Sequence, residues 1–433
     1  MAPMGIHLFE AFGVELEYMI VERGTLRVLG LADRLLLAAA GLAGAEVDAE
    51  EDPAHPGSVG LGPISWSNEL TLHVVEFKTG APAESLRGLA PTFHGHVRRA
   101  NALLAEHGAQ LLPGGMHPQM DPDREVKLWP HGYSEVYGAF NRIFDCKGHG
   151  WANLQSAHLN LPFSDEEGAG PEGEFGRLHA AIRFLLPIMP ALTASSPLVE
   201  GRATGLMDNR LEVYRHNARK LPVISGRVVP EAVFTKADYE RVVLGAVYEA
   251  LLPHDPDGVL RHEWANARGA IARFERDTIE VRVLDVQECP ACDLAMLAAI
   301  TAVLRAMVEG RLGELAEFRR YDVEPLHRTL LGVIRDAEET EIVDTAYVRA
   351  LGYRESGACR AKDLWRHLIG ATLAKEPGYE EFRPALELVL SRGCLSRRVL
   401  GACGPDPSAE RVQGVYAALA DCLAENRPFE GAS

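Results

Sequence analysis

Between Phe12 and Glu22 the segment FGVELEYMIVE alternates with a period of two, placing Phe12, Val14, Leu16 and Tyr18 on one face of an extended chain. Glu15 and Glu17 then share the other face. The pattern predicts a strand over residues 11–20. Similar runs predict strands in ELTLHVVEFKTG (residues 72–77), AQLLPGG, WANLQSAHLNLPF (151–163) and ARFERDTIEVRVLDV (272–286). Apolar residues at helical spacing predict helices over 28–41, through AESLRGLAPTFHGHVRRANALLAEHG, over 175–186, and in AVFTKADYERVVLGAVYEALL. AEEDPAHPGSVGLGPI reads as a loop, GRATGLMDNR as a turn, and 164–175 as a Glu/Gly linker. From Asp293 onward every segment reads as helix: 293–319, 339–350, 361–374, 378–390 and 406–424. The last opens on Asp406, Pro407 and Ser408, a good start signal. The expected fold is therefore α+β: a sheet-containing body over 1–290, with a helical C-terminal region over 291–433 packed on it.

Four of these strands carry polar side chains where a purely structural core would not choose them. The first holds Glu15 and Glu17. The second holds Glu76 and Lys78 on one face, with Glu69 just before it. The third holds Ser156, His158 and Asn160, and the fourth Glu280 and Arg282, with Asp285 following. Two carboxylates about 6–7 Å apart along a strand repel unless something positive lies between them. A divalent cation relieves this, and so does a wet outer face at a sheet edge. Four such strands in one domain favour the first reading, a polar floor on one face of the sheet. Glutamates with one histidine suit Mg²⁺ or Mn²⁺, because hard cations prefer carboxylate oxygen and Mn²⁺ tolerates imidazole. There is no HExxH, no GxGxxG and no GxxxxGK[ST], so any ATP would be held through metal ions and arginines.

Charge and cysteine content narrow the partners. The 433 residues carry a net charge of −17, which argues against a broad nucleic-acid or anionic-membrane surface and leaves small molecules as the expected partners. Seven scattered cysteines are an odd number and make a disulfide framework unexpected. Cys289 and Cys292, in CPAC, read as a helix start. No secretory leader is visible and no membrane-spanning run is expected, so a cytoplasmic location is the default. A homo-oligomer is possible, symmetric ones being the common outcome for soluble enzymes in general.

FGVELEY, NELTLHVVEFKTG, GMHPQ, the His158 strand, TASSPLVEGRATGLMDNR and DTIEVRVLDVQ together resemble the two-type glutamate–cysteine ligases, or carboxylate–amine ligases, of the glutamine-synthetase-like superfamily. The resemblance implies a curved, mainly antiparallel sheet with helices on its outer face, holding ATP and two or three Mg²⁺ or Mn²⁺ ions. It implies Glu15, Glu17, Glu76, His158 and Glu280 as metal ligands, with Glu69 as an accessory. Arg282 becomes a phosphate contact, and Arg210 a charge near the substrate carboxylate or phosphate; Lys78, a departure from the family pattern, is either an extra phosphate contact or a salt-bridge partner that weakens one metal site. The implied reaction, of the glutathione-biosynthesis type, activates the γ-carboxylate of glutamate and joins it to an amine such as cysteine. A protein that keeps metal and nucleotide binding without turnover is the alternative. Two departures bear on that choice. Ser156 stands where family members commonly have the first histidine of a His-x-His element, and Lys78 sits beside Glu76.

Overall fold

The computed structural model describes residues 5–49, 51–165, 169–355 and 359–431. Of the expected linker, residues 166–168 lie outside this range. An eight-stranded antiparallel sheet is built from β1 (Gly13–Glu22), β2 (Ser58–Leu61), β3 (Ile64–Asn68), β4 (Val74–Thr79), β5 (Ala109–Leu112), β6 (Ser156–Pro162), β7 (Ala270–Arg273) and β8 (Thr278–Asp285). Its order is β2-β3-β4-β1-β6-β8-β7, with β5 also pairing β1. The alternation in β1 explains its central place: Val14, Leu16, Tyr18 and Ile20 are fully buried on one face. That face joins a large apolar cluster with the helices α1 (Ala32–Ala40) and α2 (Leu89–Ala105).

Register does the rest. Glu15 lies opposite both Lys78 and His158, Glu17 opposite Glu76, Glu76 opposite Ser67, and Glu280 opposite Asn160. Because a slip of one residue would invert every side chain, this pairing gathers the polar groups on one face. In β8 the partners shift by one residue between Val281 and Leu284, a bulge that brings Asp285 opposite Ser156.

The predicted elements need several corrections. Ser58–Asn68 is a hairpin rather than a loop, turned at Gly62, whose φ of +78° suits glycine. Its glycines and prolines obscured a true period-two pattern. The single strand expected over 272–286 is likewise a hairpin, and 151–163 begins with a helical turn, His149–Ala152. Within the expected turn GRATGLMDNR, Asp208 accepts a hydrogen bond from the Leu211 N–H and caps a helix, α5 (Asn209–Asn217), after α3 (Ser134–Phe144) and α4 (Glu174–Leu185).

The helix begun at CPAC, α6 (Pro290–Val308), stops before Gly310 and Gly313, both at φ +71°. Contrary to expectation, α6 is long and apolar enough to cross a membrane. Its apolar window is 89% buried, however, as in a core helix packed against α2 and α4. Two further helices, both C-terminal, went unpredicted. In α7 (Val323–Asp336) Pro325 reads as punctuation, and α10 (Leu395–Cys403) is a short run between two glycines; α8 (Ala361–Ala371) and α9 (Tyr379–Arg392) lie between them. Over 339–350 the α-helix is confined to Thr345–Ala350, after a 3-10 turn that ends at Glu339, because Glu341–Ile342 pairs with Cys359–Arg360. The core runs across residue 290: Trp365 Nε1 donates to the Ile188 carbonyl at 2.7 Å, and α11 (Ala409–Glu425) sets Val412, Tyr416 and Leu419 in one cluster with Met19, Val21 and Leu112.

Candidate metal centre and cleft

The polar face of the sheet forms the floor of a cleft of about 670 Å³. Two overlapping groups of ligating side chains lie on it, Glu15–Glu76–His158 and Glu17–Glu69–Glu76, each with ligand atoms within 4.8 Å of one another. Glu76 belongs to both. Its oxygen Oε2 accepts from the Ser67 hydroxyl at 2.8 Å and from Lys78 Nζ at 3.0 Å. His158 Nδ1 pairs with Glu15 at 2.9 Å, and Nε2 meets the Ser156 hydroxyl at 2.9 Å. Ser156 in turn gives both its N–H and its hydroxyl to Glu17, at 2.7 and 3.0 Å, and Asn160 donates to Glu15 at 3.0 Å. Ser156 is thus part of the floor, bridging a carboxylate and an imidazole.

Charge is unevenly balanced across this floor. Burial would raise the Glu15 carboxyl, but His158 and Lys78 bring it down to about 2. Burial also acts to raise Glu280, which Arg282, His158 and Arg273 hold at about 2. Arg282 Nε lies 2.6 Å and Arg273 Nη1 3.1 Å from its oxygens. His158 is lowered by burial but raised more by Glu15, Glu17 and Glu280, reaching about 9. On the other side, burial and the neighbouring Glu76 push Glu17 upward, and burial with Glu76 and Glu17 pushes Glu69 well above the usual range. Carboxylates that resist ionising beside one another are a place where a cation is favourable.

Of the residues expected at a site, Glu15, Glu17, Glu76 and His158 are brought together, and Glu69 joins them as a full member of the second group. Glu280 is adjacent, 3.7 Å from His158 Nδ1, with its oxygens engaged by arginines, and falls in neither group. Arg282 and Lys78 line the cleft. Arg210 borders it too, but Nε is committed to Asp285 and Nη2 to the Arg282 carbonyl. Asp285 also accepts from the Ser195 N–H and the Ser196 hydroxyl, each at 2.8 Å, so the SSP segment secures this buried pair. Gly115 of GMHPQ packs so closely that a Cβ there would meet the Asp285 carboxylate at 2.5 Å. His149 faces Glu200, 3.4 Å away, and Cys146 is buried. Sequence reasoning missed Arg273, Ser67 and the cleft's aromatic residues. The first was findable once 272–286 is read as a hairpin.

A cleft over a carboxylate and imidazole floor, on one face of an antiparallel sheet backed by helices, is the arrangement that the resemblance to carboxylate–amine ligases leads one to expect. The chain belongs to glutamate–cysteine ligase family 2, which it matches over residues 11–418. It is 33% identical over 372 residues to an uncharacterized protein of Archaeoglobus fulgidus, covering 85% of this chain and 90% of that one. It is 30% identical over 312 residues to a putative glutamate–cysteine ligase 2 of Cupriavidus metallidurans, covering 69% and 68%. In fold it is similar to the glutamate–cysteine ligase of Francisella tularensis solved in complex with AMP, with a TM-score of 0.55 at 13% identity over 98% and 89% of the two chains. A bifunctional glutathione synthetase of Pasteurella multocida gives a TM-score of 0.57 at 14% identity over 96% of this chain, which spans 53% of that one.

Proposed function

We propose that this protein is an ATP-dependent ligase that activates the γ-carboxylate of glutamate, or of a similar amino acid, as an acyl phosphate and joins it to an amine such as cysteine. The observation that carries the reading is the pair of overlapping ligand groups on the cleft floor. Their donors, carboxylate oxygens with one imidazole, fit Mg²⁺ or Mn²⁺. Glu15, Glu76 and His158 would hold one ion and Glu17, Glu69 and Glu76 a second, with Glu280 supporting His158. Such ions supply neutralisation of phosphate oxygens as negative charge gathers there.

A carboxylate does not condense with an amine in water, so its oxygen first attacks the γ-phosphate of ATP, forming the acyl phosphate as the bond to the β-phosphate oxygen breaks and ADP leaves. The amine then displaces phosphate from the acyl carbon. The chain's own contribution is positional and electrostatic. Arg282, pinned by Glu280, and Arg210, pinned by Asp285, present fixed positive charge without reorganising, and Lys78 adds a third cation at the rim. No protein nucleophile is required.

One contact favours a second reading, a protein that binds metal and nucleotide without turnover: Lys78 already pairs with the shared ligand Glu76. A phosphate-release screen with Mg²⁺, ATP and glutamate, varying the amine, separates the two. Turnover abolished by Glu17→Gln supports the ligase. Nucleotide binding with no phosphate release for any pairing supports the alternative.

A further inference from the structure

On strand β4 two neighbours on the cleft face carry opposite charge. Glu76 and Lys78 are two residues apart, so they share a face of the strand. Register then surrounds them: across the pairing with β1, Glu15 lies opposite Lys78 and Glu17 opposite Glu76. Lys78 Nζ donates to Glu76 Oε2 at 3.0 Å, and the charges of Glu15 and Glu69 act on the same ammonium. These three carboxylates are drawn from both ligand groups, and Glu76 is common to the two. One ammonium is therefore set where it offsets the donors of both proposed ion positions.

Lys78 differs from the arginines of the cleft in its freedom. Arg282 is held by the buried Glu280, and Arg210 by the sealed Asp285. The Lys78 side chain keeps 35% of its surface exposed, against 7% for Glu76. Its flexible four-carbon stem lets the ammonium swing into the cleft while the strand stays in place. Glu76 keeps the Ser67 hydroxyl on the same oxygen when Lys78 leaves. The ammonium is exchangeable, whereas the two guanidinium groups are fixed.

Resting on the metal and nucleotide binding that both readings above share, we infer that Lys78 is a built-in counter-cation coupling the two ligands: it holds Glu76 until divalent ions enter, and passes to the nucleotide's phosphates when they do. A divalent ion on Glu76 and an ammonium bonded to the same carboxylate repel strongly at such short range. Without an anion to receive it, Lys78 therefore opposes the ions. With phosphates in the cleft, the same ammonium gains a new partner and the opposition is lifted. Metal and nucleotide then bind with positive linkage, each strengthening the other by the same factor. The Lys78–Glu76 pair makes metal binding conditional on nucleotide instead of disabling the site.

The test is a calorimetric titration of Mn²⁺ into the full chain, with and without a nonhydrolysable ATP analogue, in the wild type and in Lys78→Met. Methionine keeps most of the stem and removes the charge; Lys78→Gln serves as a second neutral variant should the first fail to fold. The wild type should bind Mn²⁺ about tenfold or more tightly with the analogue than without it. The neutral variant should bind Mn²⁺ alone about tenfold or more tightly than the wild type does, the scale of a change beside metal ligands, and the analogue should then add less. Mn²⁺ affinity that is unchanged or weaker in the neutral variant, or an analogue effect as large as in the wild type, would overturn the inference. Failure of the ligase reading shows separately, as no phosphate release, and leaves these affinities measurable. If the wild type takes up neither Mn²⁺ nor the analogue, the inference falls together with the metal centre.

Discussion

Strand β8 carries two buried carboxylates, five residues apart, that are each paired with arginine but sit in different neighbourhoods. Asp285 has one guanidinium, from Arg210, and a set of serine donors, and it is sealed from solvent. Glu280 is also paired, with Arg282 and Arg273, but it borders a floor where Glu17, Glu69 and Glu76 crowd within 4.8 Å of one another. On that side the near cations are Lys78, paired with Glu76, and His158, 3.7 Å from Glu17 and shared with Glu15. The first cluster is complete as it stands. The second is short of positive charge, and burial makes the shortage expensive. A carboxylate that serves the fold comes with its partner, whereas one that serves a ligand leaves room for it.

That contrast predicts opposite responses to removing a charge. Glu17→Gln should cut turnover by roughly 10³-fold, the scale of losing one group that stabilises developing charge. The melting temperature of the metal-free protein should hold or rise, because repulsion is relieved and the amide keeps an acceptor for Ser156. Asp285→Asn should instead cost about 3–5 kcal/mol in denaturant unfolding, since Arg210 is left buried without its counter-charge. If both changes destabilised alike, the distinction between the clusters would be lost.

Histidines sharpen the same comparison. His158, among glutamates, is raised to about 9, whereas burial lowers His73 and His117 to about 4. The latter two sit against the carbonyls of Ala152 and Leu26. Between pH 6.5 and 4 the unfolded chain binds protons that these folded histidines refuse, so their contribution is complete above 6.5 and is lost as the pH falls. Each should cost ~3 kcal/mol by pH 4, read from urea unfolding across that range. Replacement of His73 by a neutral residue of similar size should flatten the profile. The smallest effect belongs to Gly115→Ala, whose methyl would press on Asp285; a loss of about 1–3 kcal/mol is expected, as for overpacking, with metal binding retained.

Much of the floor was legible in the sequence because strands impose period two, and on four separate strands polar residues at that spacing fell together on one face. Glu15, Glu17, Glu76 and His158 needed no more than that, together with a resemblance that ordered them. What was hidden depends on pairing across the chain. The equal rank of Glu69 comes from its position just beyond β3, and Arg273 reaches Glu280 only because 270–285 folds back on itself. The commitment of Arg210 to Asp285 joins residues 75 positions apart. Among the cleft's aromatic residues Phe140 of α3 meets Trp264, from a turn more than a hundred residues later, and no local pattern announces such a meeting. The missed helices α7 and α10 show the opposite limit, where proline and glycine signals outweighed a sound apolar face.

The most direct measurement is a calorimetric titration of Mn²⁺ into the wild type and Glu76→Gln, each with a nonhydrolysable ATP analogue. Because Glu76 belongs to both ligand groups, the account predicts saturable binding in the wild type that weakens by about tenfold or more, as expected when a coordinating group is lost. Binding that is absent in the wild type, or unchanged by the substitution, would contradict it.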